Sequence, residues 1–305
     1  MAGNRHRTIA HLAATVRVAR STAPGYWRQY QRERQRVILP APNVPRPLQW
    51  PNTGLHAAWL GHSTVLVKVD GFTFITDPIL GSRCGVEMGP MTVGLKRLVS
   101  AALVRKELPP IDLILLSHAH FDHFDRATLR SLERAGTSVV TASETTDLLH
   151  PGRFKAVSEL GWDASVRCGP AQIRALEVNH WGARIRTDNY RGYNGYLIET
   201  DRYRIVFGGD TALTDSFRKL RSQRGIDLAI MPVGAYDPWL HVHCNPEQAL
   251  RMANDMQAEH VLPVHHQTFR LSREPYLEPV ERLLAAAGPH PDRVVLRQIG
   301  QEWHL

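Results

Sequence analysis

The run Leu116-Ser117-His118-Ala119-His120-Phe121-Asp122-His123 puts four metal-binding side chains within six residues, directly behind the apolar stretch Ile111–Ser117. Imidazole and carboxylate together suit zinc, and also iron or manganese. In a tight turn leaving a strand, His118 and His120 point to one side while Asp122 and His123 address a second position. Spacing this dense serves two ions better than one. A lone histidine in a turn is usually solvated surface, but His-x-His-x-Asp-His behind a buried strand is seldom inert.

Two ions need more donors than these four. His180 follows the apolar segment 173–178, Asp210 follows 203–207, and His265 follows 260–263. The pair Gly208-Gly209 ahead of Asp210 lets the backbone turn closely past an ion. Each of the three is weakly specific alone. Together, each at the C-terminal end of a strand-like segment, they make a coherent set.

The elements that must position these groups follow from pattern. His56–Leu60, Thr64–Val69 and Phe72–Thr76 are predicted strands, with Asp70-Gly71 as a hairpin turn. A helical stretch is expected next, then the strand Ile111–Ser117, a helix over Arg126–Ala135 and a strand over Ser138–Thr141. Strands are predicted at Ile173–Val178, Gly195–Glu199, Tyr203–Phe207, Asp227–Met231, His260–Pro263 and Arg293–Leu296. Helices are predicted at Thr214–Arg221, Pro246–Met256 and Leu277–Ala287, the second opened by Asn245 as N-cap and Pro246 at the first position. A meander followed by mixed strands and helices, twice over, suggests two packed sheets with helices outside.

The whole arrangement resembles the metallo-β-lactamase superfamily, whose signature is His-x-His-x-Asp-His followed by His, Asp and His from later loops. Carried over by position, His118, His120 and His180 would hold a first metal, and Asp122, His123 and His265 a second, with Asp210 bridging. The resemblance implies a four-layer αββα sandwich, and makes Asp77, in Thr76-Asp77-Pro78, a support for the ligands from behind. Within the superfamily the chain is most similar to the N-acylphosphatidylethanolamine-hydrolysing phospholipase D group. That likeness runs from about Trp59 to Pro279, through Trp59-Leu60-Gly61-His62-Ser63-Thr64, Glu107-Leu108-Pro109-Pro110-Ile111-Asp112, His180-Trp181 with Arg184, Gly208-Gly209-Asp210-Thr211, Gly234-Ala235-Tyr236, Asn245-Pro246-Glu247 and Tyr276-Leu277-Glu278-Pro279. His266-Gln267 stand where the group commonly has Trp-Gly, and Cys244-Asn245 where it has Val-Asp.

The expected activity is therefore a dinuclear metal-dependent hydrolase, in first place a phosphodiesterase of phospholipase D type. Two cations sharing a solvent molecule bring its pKa toward neutrality, so no serine or cysteine nucleophile is needed. No G-x-S-x-G motif is present, and Cys244 is expected in the pocket wall. Asp122 and His243 are the expected catalytic residues. His243 matches a position near the substrate, where it would orient the phosphate or protonate the leaving group; His241 and His266 compete for that role. Trp181, Tyr190, Tyr193, Tyr236 and Trp239 are candidates for an apolar pocket or for plain core. A lactone or carboxylic ester hydrolase ranks second and a nuclease a distant third. A non-catalytic metal module typically lacks one or more ligands, and all seven are present.

Composition sets the outer limits. At 305 residues, with 43% hydrophobic and 22% charged side chains, the chain suits an ordinary globular protein. Its net charge of +8 is concentrated at the front. Residues 1–50 hold nine arginines against one acid, Glu33, which leaves the remainder formally neutral. That division suggests a basic arm and Pro-rich connector over 1–50 and a catalytic domain over 51–305. The arm suits peripheral contact with anionic membrane through residues 1–36, or a merely solubilising charge; nucleic acid is disfavoured by the neutral body. Three cysteines without CxxC spacing point to a reducing compartment, so a cytoplasmic site, peripheral at the membrane if the arm acts there, is expected. Oligomeric state is left open, a homodimer among the options.

Overall fold

Strand residues of the second sheet alternate between two apolar environments, one shared with the first sheet and one with the helices. The computed structural model describes residues 31, 33, 35–89, 91–222 and 224–305. The expected membrane contact through residues 1–36 lies almost wholly outside the described residues.

The first sheet opens as an antiparallel meander of β1 (Leu55–Gly61), β2 (Thr64–Val69) and β3 (Phe72–Thr76). The segment expected to be helical is instead a separate hairpin, β4 (Arg83–Met88) with β5 (Met91–Lys96). Gly85 and Gly94 face each other across it, and a Cβ on either would fall within 2.2 Å of a carbonyl oxygen on the other strand. Only a glycine pair lets the two backbones approach so closely. The first sheet then continues in parallel through β6 (Leu113–Leu116), β7 (Ser138–Ala142) and β8 (Ala156–Leu160). Between β6 and β7 lies the short helix α1 (Arg126–Ser131), capped by the Asp125 carboxylate on the Thr128 N–H.

The second sheet runs β9 (Ser165–Cys168), β10 (Ala171–Leu176), β11 (Gly195–Glu199) and β12 (Arg204–Phe207), all antiparallel. It then continues in parallel through β13 (Ile226–Pro232), past the helix α2 (Pro246–Asp255), to β14 (Ala258–Val264). Helix α3 (Glu278–Ala287) follows, and β15 (Glu302–His304) returns to the free edge of β1. Asn245 and Gln248 cap α2 reciprocally, with Pro246 in its first turn, as their spacing predicts.

The period of two is clear in β13. Leu228 and Ile230 join the core shared with the first sheet, while Ala229 and Met231 face the opposite side, among Met252, Ala253 and Leu283 of α2 and α3. β11, β12 and β14 divide their residues in the same way. The result is an αββα sandwich. The expected strand at Arg293–Leu296 is reduced to a 3-10 turn and a single bridge between Val294 and Val261, and the final strand is β15, which carries no hydrophobic run. The helix expected at Thr214–Arg221 is a 3-10 turn, Ser216–Leu220. None of the described helices is long and apolar enough to cross a membrane.

The connector lies extended against this body. Leu39 bonds both ways with the 98–100 segment, and the Trp50 indole donates to Glu302. What matters for chemistry is that β6, β10, β12 and β14 all end at one rim of the sandwich, where ligand crevices of α/β sheets form.

Candidate metal centre

All seven expected metal-binding residues meet at that rim. His118, His120, Asp122 and His123 come from the turn after β6. His180 comes from the loop after β10, Asp210 from the Gly208-Gly209 turn after β12, and His265 from the residue directly after β14. Gly209 has φ +58, and a Cβ there would sit 2.6 Å from the Asn194 oxygen. Gly234 is equally constrained, since a Cβ would meet the His265 oxygen at 2.2 Å.

Two groups of donors form. His118 Nε2 stands 2.7 Å from His120 Nδ1, and His180 Nε2 is 3.3 Å from the same atom. In the other group, His123 Nε2 and His265 Nε2 are each 3.6 Å from Asp122 Oδ2. Asp210 Oδ2 sits between the groups, 3.1 Å from both of those nitrogens, 3.7 Å from His180 and 4.0 Å from His118. Donors about 2.0–2.1 Å from a tetrahedral ion stand roughly 3.3 Å apart, and the separations here, from 2.7 to 4.0 Å, bracket that value. His123 Nε2, His265 Nε2 and Asp210 Oδ1 are buried without a hydrogen-bond partner. Polar atoms stranded in this way are costly unless a cation takes them up. The residues fit metal binding.

Outer partners set which nitrogen each ring presents. His180 Nδ1 donates to the Val242 carbonyl at 2.9 Å, leaving Nε2 bare. Asp77 accepts from the Ser117 N–H at 2.7 Å, the Ser117 hydroxyl at 2.5 Å and His123 Nδ1 at 2.6 Å. The Ser117 hydroxyl in turn accepts from His118 Nδ1 at 2.8 Å. Asp77 therefore aims two histidines without reaching the centre itself.

The model of the beta-lactamase superfamily domain matches residues 73–266 of this chain. The chain belongs to the metallo-β-lactamase superfamily. Within it the chain lies near the N-acyl-phosphatidylethanolamine-hydrolysing phospholipases D. It is 31% identical over 263 residues to phospholipase D 1 of that kind from Caenorhabditis elegans, covering 80% of this chain and 73% of the nematode protein. An uncharacterised protein of Mycobacterium tuberculosis is 34% identical over 275 residues, covering 85% and 73%. The fold is shared with Igni18, a metallo hydrolase of Ignicoccus hospitalis, at TM-score 0.62 and 20% identity, over 83% of this chain and 99% of that one. The protein is thus a metal-dependent hydrolase of the metallo-β-lactamase fold.

Electrostatics in this superfamily member divide the histidines. Burial, reinforced by neighbouring rings, holds His118 well below the ordinary imidazole value; burial likewise lowers His180, and brings His120 to about 4. Burial also acts on His265 and His123, but the Asp210 and Asp122 carboxylates outweigh it, raising His123 well above its usual value and His265 to about 9. Burial would raise Asp122 and Asp210, yet the imidazoles around them hold both carboxyls well below their usual range.

His243 reaches the centre, its Nδ1 3.9 Å from Asp210 Oδ2 and without a hydrogen-bond partner. His241 stays exposed, and His266 turns into the core, stacked on Trp59 at 4.5 Å. Cys244 is not a wall residue: it is fully buried, with its thiol on the Pro232 carbonyl. Of the aromatic candidates, Trp181 lies against His120 and His180, at 4.5 and 4.4 Å, while remaining 42% exposed. Trp239 starts the turn that delivers His243, accepting its N–H at 2.9 Å. Tyr193 packs on Trp162, Tyr190 lies under Arg191, and the Tyr236 hydroxyl donates to Glu278.

Two residues without a role in the sequence reading prove central. His62 places Nε2 3.2 Å from Asp122 Oδ2. Arg184 donates to the carbonyls of Ala119 and Phe124, at 2.9 and 2.8 Å, and stacks on Phe121 at 4.0 Å. It ties both ends of the metal-binding turn. Arg184→Ala removes two charge-assisted hydrogen bonds and should destabilise the protein by about 2–3 kcal/mol. The midpoint of thermal unfolding should fall by several degrees and retained metal should drop; unchanged values for both would show that the turn stands without it.

Proposed function

We propose that the protein is a dinuclear phosphodiesterase of phospholipase D type acting on N-acylphosphatidylethanolamine-like phospholipids. The observation that carries this reading is the convergence of His118, His120 and His180 on one position, and of Asp122, His123 and His265 on a second, with Asp210 between them. The 31% identity to the nematode phospholipase supports the choice of substrate class. Zinc is first among the metals, with iron and manganese meeting the same donors. Two divalent cations supply Lewis acidity there, acidifying solvent and polarising the phosphoryl oxygens.

The chain's own residues do the rest. Asp210 and Asp122 balance the positive charge brought into a buried site. Trp181 offers an apolar face beside the first donor group. Burial brings His243 to about 4, so at neutral pH it faces the substrate as a neutral imidazole. In that form it serves as a hydrogen-bond donor to a phosphate oxygen or to the departing alkoxide, rather than as an imidazolium acid. His243→Ala should lower kcat by about 10²-fold and leave metal content intact. Loss of metal in the variant would instead make His243 a ligand beside His180 and Asp210. The catalytic unit is taken as residues 51–305, with 1–50 as arm and connector.

The test is product analysis by mass spectrometry after incubation of metal-loaded protein with N-acylphosphatidylethanolamine vesicles, with Asp122→Ala alongside. Release of N-acylethanolamine and phosphatidic acid, absent in the variant, is the expected result. Intact lipid would overturn the phospholipid reading and turn attention to lactones and carboxylic esters.

A further inference from the structure

We propose that His62 is a positioning residue of the second metal site, orienting Asp122 through its ring and His265 through its backbone carbonyl. The inference rests on the two-ion reading above. His62 follows β1, which β2 and β3 separate from β6 and its Asp122 turn in the first sheet, yet its side chain is buried in the centre. Its φ is +53, a left-handed conformation that non-glycine residues adopt at some cost. Such a conformation persists only where the surroundings over-determine it, and here they do. The His62 N–H donates to the Thr268 hydroxyl at 2.6 Å. Its carbonyl accepts from the Trp59 indole at 2.7 Å and from the His265 N–H at 3.2 Å.

The ring completes the link. Nε2 lies 3.2 Å from Asp122 Oδ2 with hydrogen-bond geometry, and the ring packs 4.4 Å from His265 and 5.0 Å from His123. An ionised carboxylate only accepts, so Nε2 is the nitrogen that carries the proton. A nitrogen in that state has no lone pair for a cation. His62 therefore acts on the ion through Asp122, even though one of its ring nitrogens lies within 4.8 Å of donor atoms on Asp122, His123 and His265. The hydrogen bond stops the Asp122 carboxylate from rotating, and the carbonyl bond holds the backbone of His265, which itself has φ +65.

Three variants separate the ring from the backbone. His62→Ala removes the donor. His62→Asn also removes its reach, but asparagine tolerates a left-handed backbone, so it controls for folding. His62→Gln places an amide N–H near the former Nε2 position. Metal content by mass spectrometry, chelator competition for each equivalent and the visible spectrum of the Co(II)-loaded protein are read without any substrate. The first equivalent should bind unchanged in all three variants. The second should weaken by about 10–100-fold in His62→Ala and His62→Asn and recover most of its affinity in His62→Gln. A second equivalent that binds equally tightly in His62→Asn overturns the inference alone. So does loss of the Co(II) band in His62→Gln as complete as in His62→Ala, since that would make the imidazole a direct ligand. A single equivalent in the unmutated protein overturns the two-ion reading, and this inference with it.

Discussion

Asp210→Ala should lose at least ~10³-fold in kcat/KM, about 4 kcal/mol of transition-state stabilisation, and should hold fewer than two ions per chain. The Asp210 carboxylate faces donors of both groups. One oxygen of Asp210 faces His123, His265, His180 and His118 within 4.0 Å, and the other is buried without a partner. Asp210→Asn keeps the shape and removes the charge. The same loss in Asn would assign the effect to charge, whereas a loss confined to Ala would assign it to packing. Kinetics on the released product and metal analysis of the same preparations settle the matter. A variant retaining two ions and a tenth of the activity would mean that Asp210 does not join the two positions.

Removing the metal should have the second large effect, and pH should shape it. Each ion held by the folded chain at 1,000 times its dissociation constant adds about 4 kcal/mol of stability, so stripping two of them should lower the unfolding midpoint on the order of 20 °C. In the stripped protein the raised imidazoles take over part of the balance. Because His265 is raised to about 9 by carboxylates that outweigh burial, its contribution is fully present below the ordinary 6.5 and is lost as pH rises through about 9. Asp122 and Asp210 are held low, so theirs is present above the ordinary carboxylate value and is lost as pH falls through the lowered one. Stability of the chelated protein should therefore decline as pH rises from about 6.5 to about 9, the loaded protein being spared because its imidazoles are already deprotonated. Reloading must displace the protons on His265 and His123, so affinity should rise with pH. Calorimetry in buffers of different ionisation enthalpy at pH 7.5 should register about two protons released per chain. Uptake with no proton release would contradict protonated imidazoles in the empty site.

The centre was legible because its chemistry is dense in the chain. Four donors crowd behind the apolar run of β6, and His180, Asp210 and His265 each sit where a hydrophobic segment stops. His62 stands at an equally good strand end, but a single histidine behind Gly61 has no neighbours of its own kind, and its role exists only once Asp122 is folded against it. Arg184 was similarly silent, since its partners are backbone carbonyls, which carry no sequence signature. The β4–β5 hairpin stands where pattern predicts a helical stretch, its decisive feature being two glycines nine residues apart that pair across strands. β15 has little apolar character and owes its existence to the open edge of β1. Burial direction separates His241, His243 and His266: the exposed turn from Trp239 sends His243 inward, while the Trp59 ring captures His266.

The connection between β8 and β9, through Gly161 and Asp163, is the single covalent passage from the first sheet to the second until β15 returns. His118, His120, Asp122 and His123 lie before it; His180, Asp210 and His265 lie after it. A chain opened at that passage would yield two fragments, each with part of a chelator and one open face of the core. Neither would bind an ion well alone. Their reassociation would be gated by metal concentration, which makes this loop the natural place to convert the protein into a two-part reporter of free divalent metal.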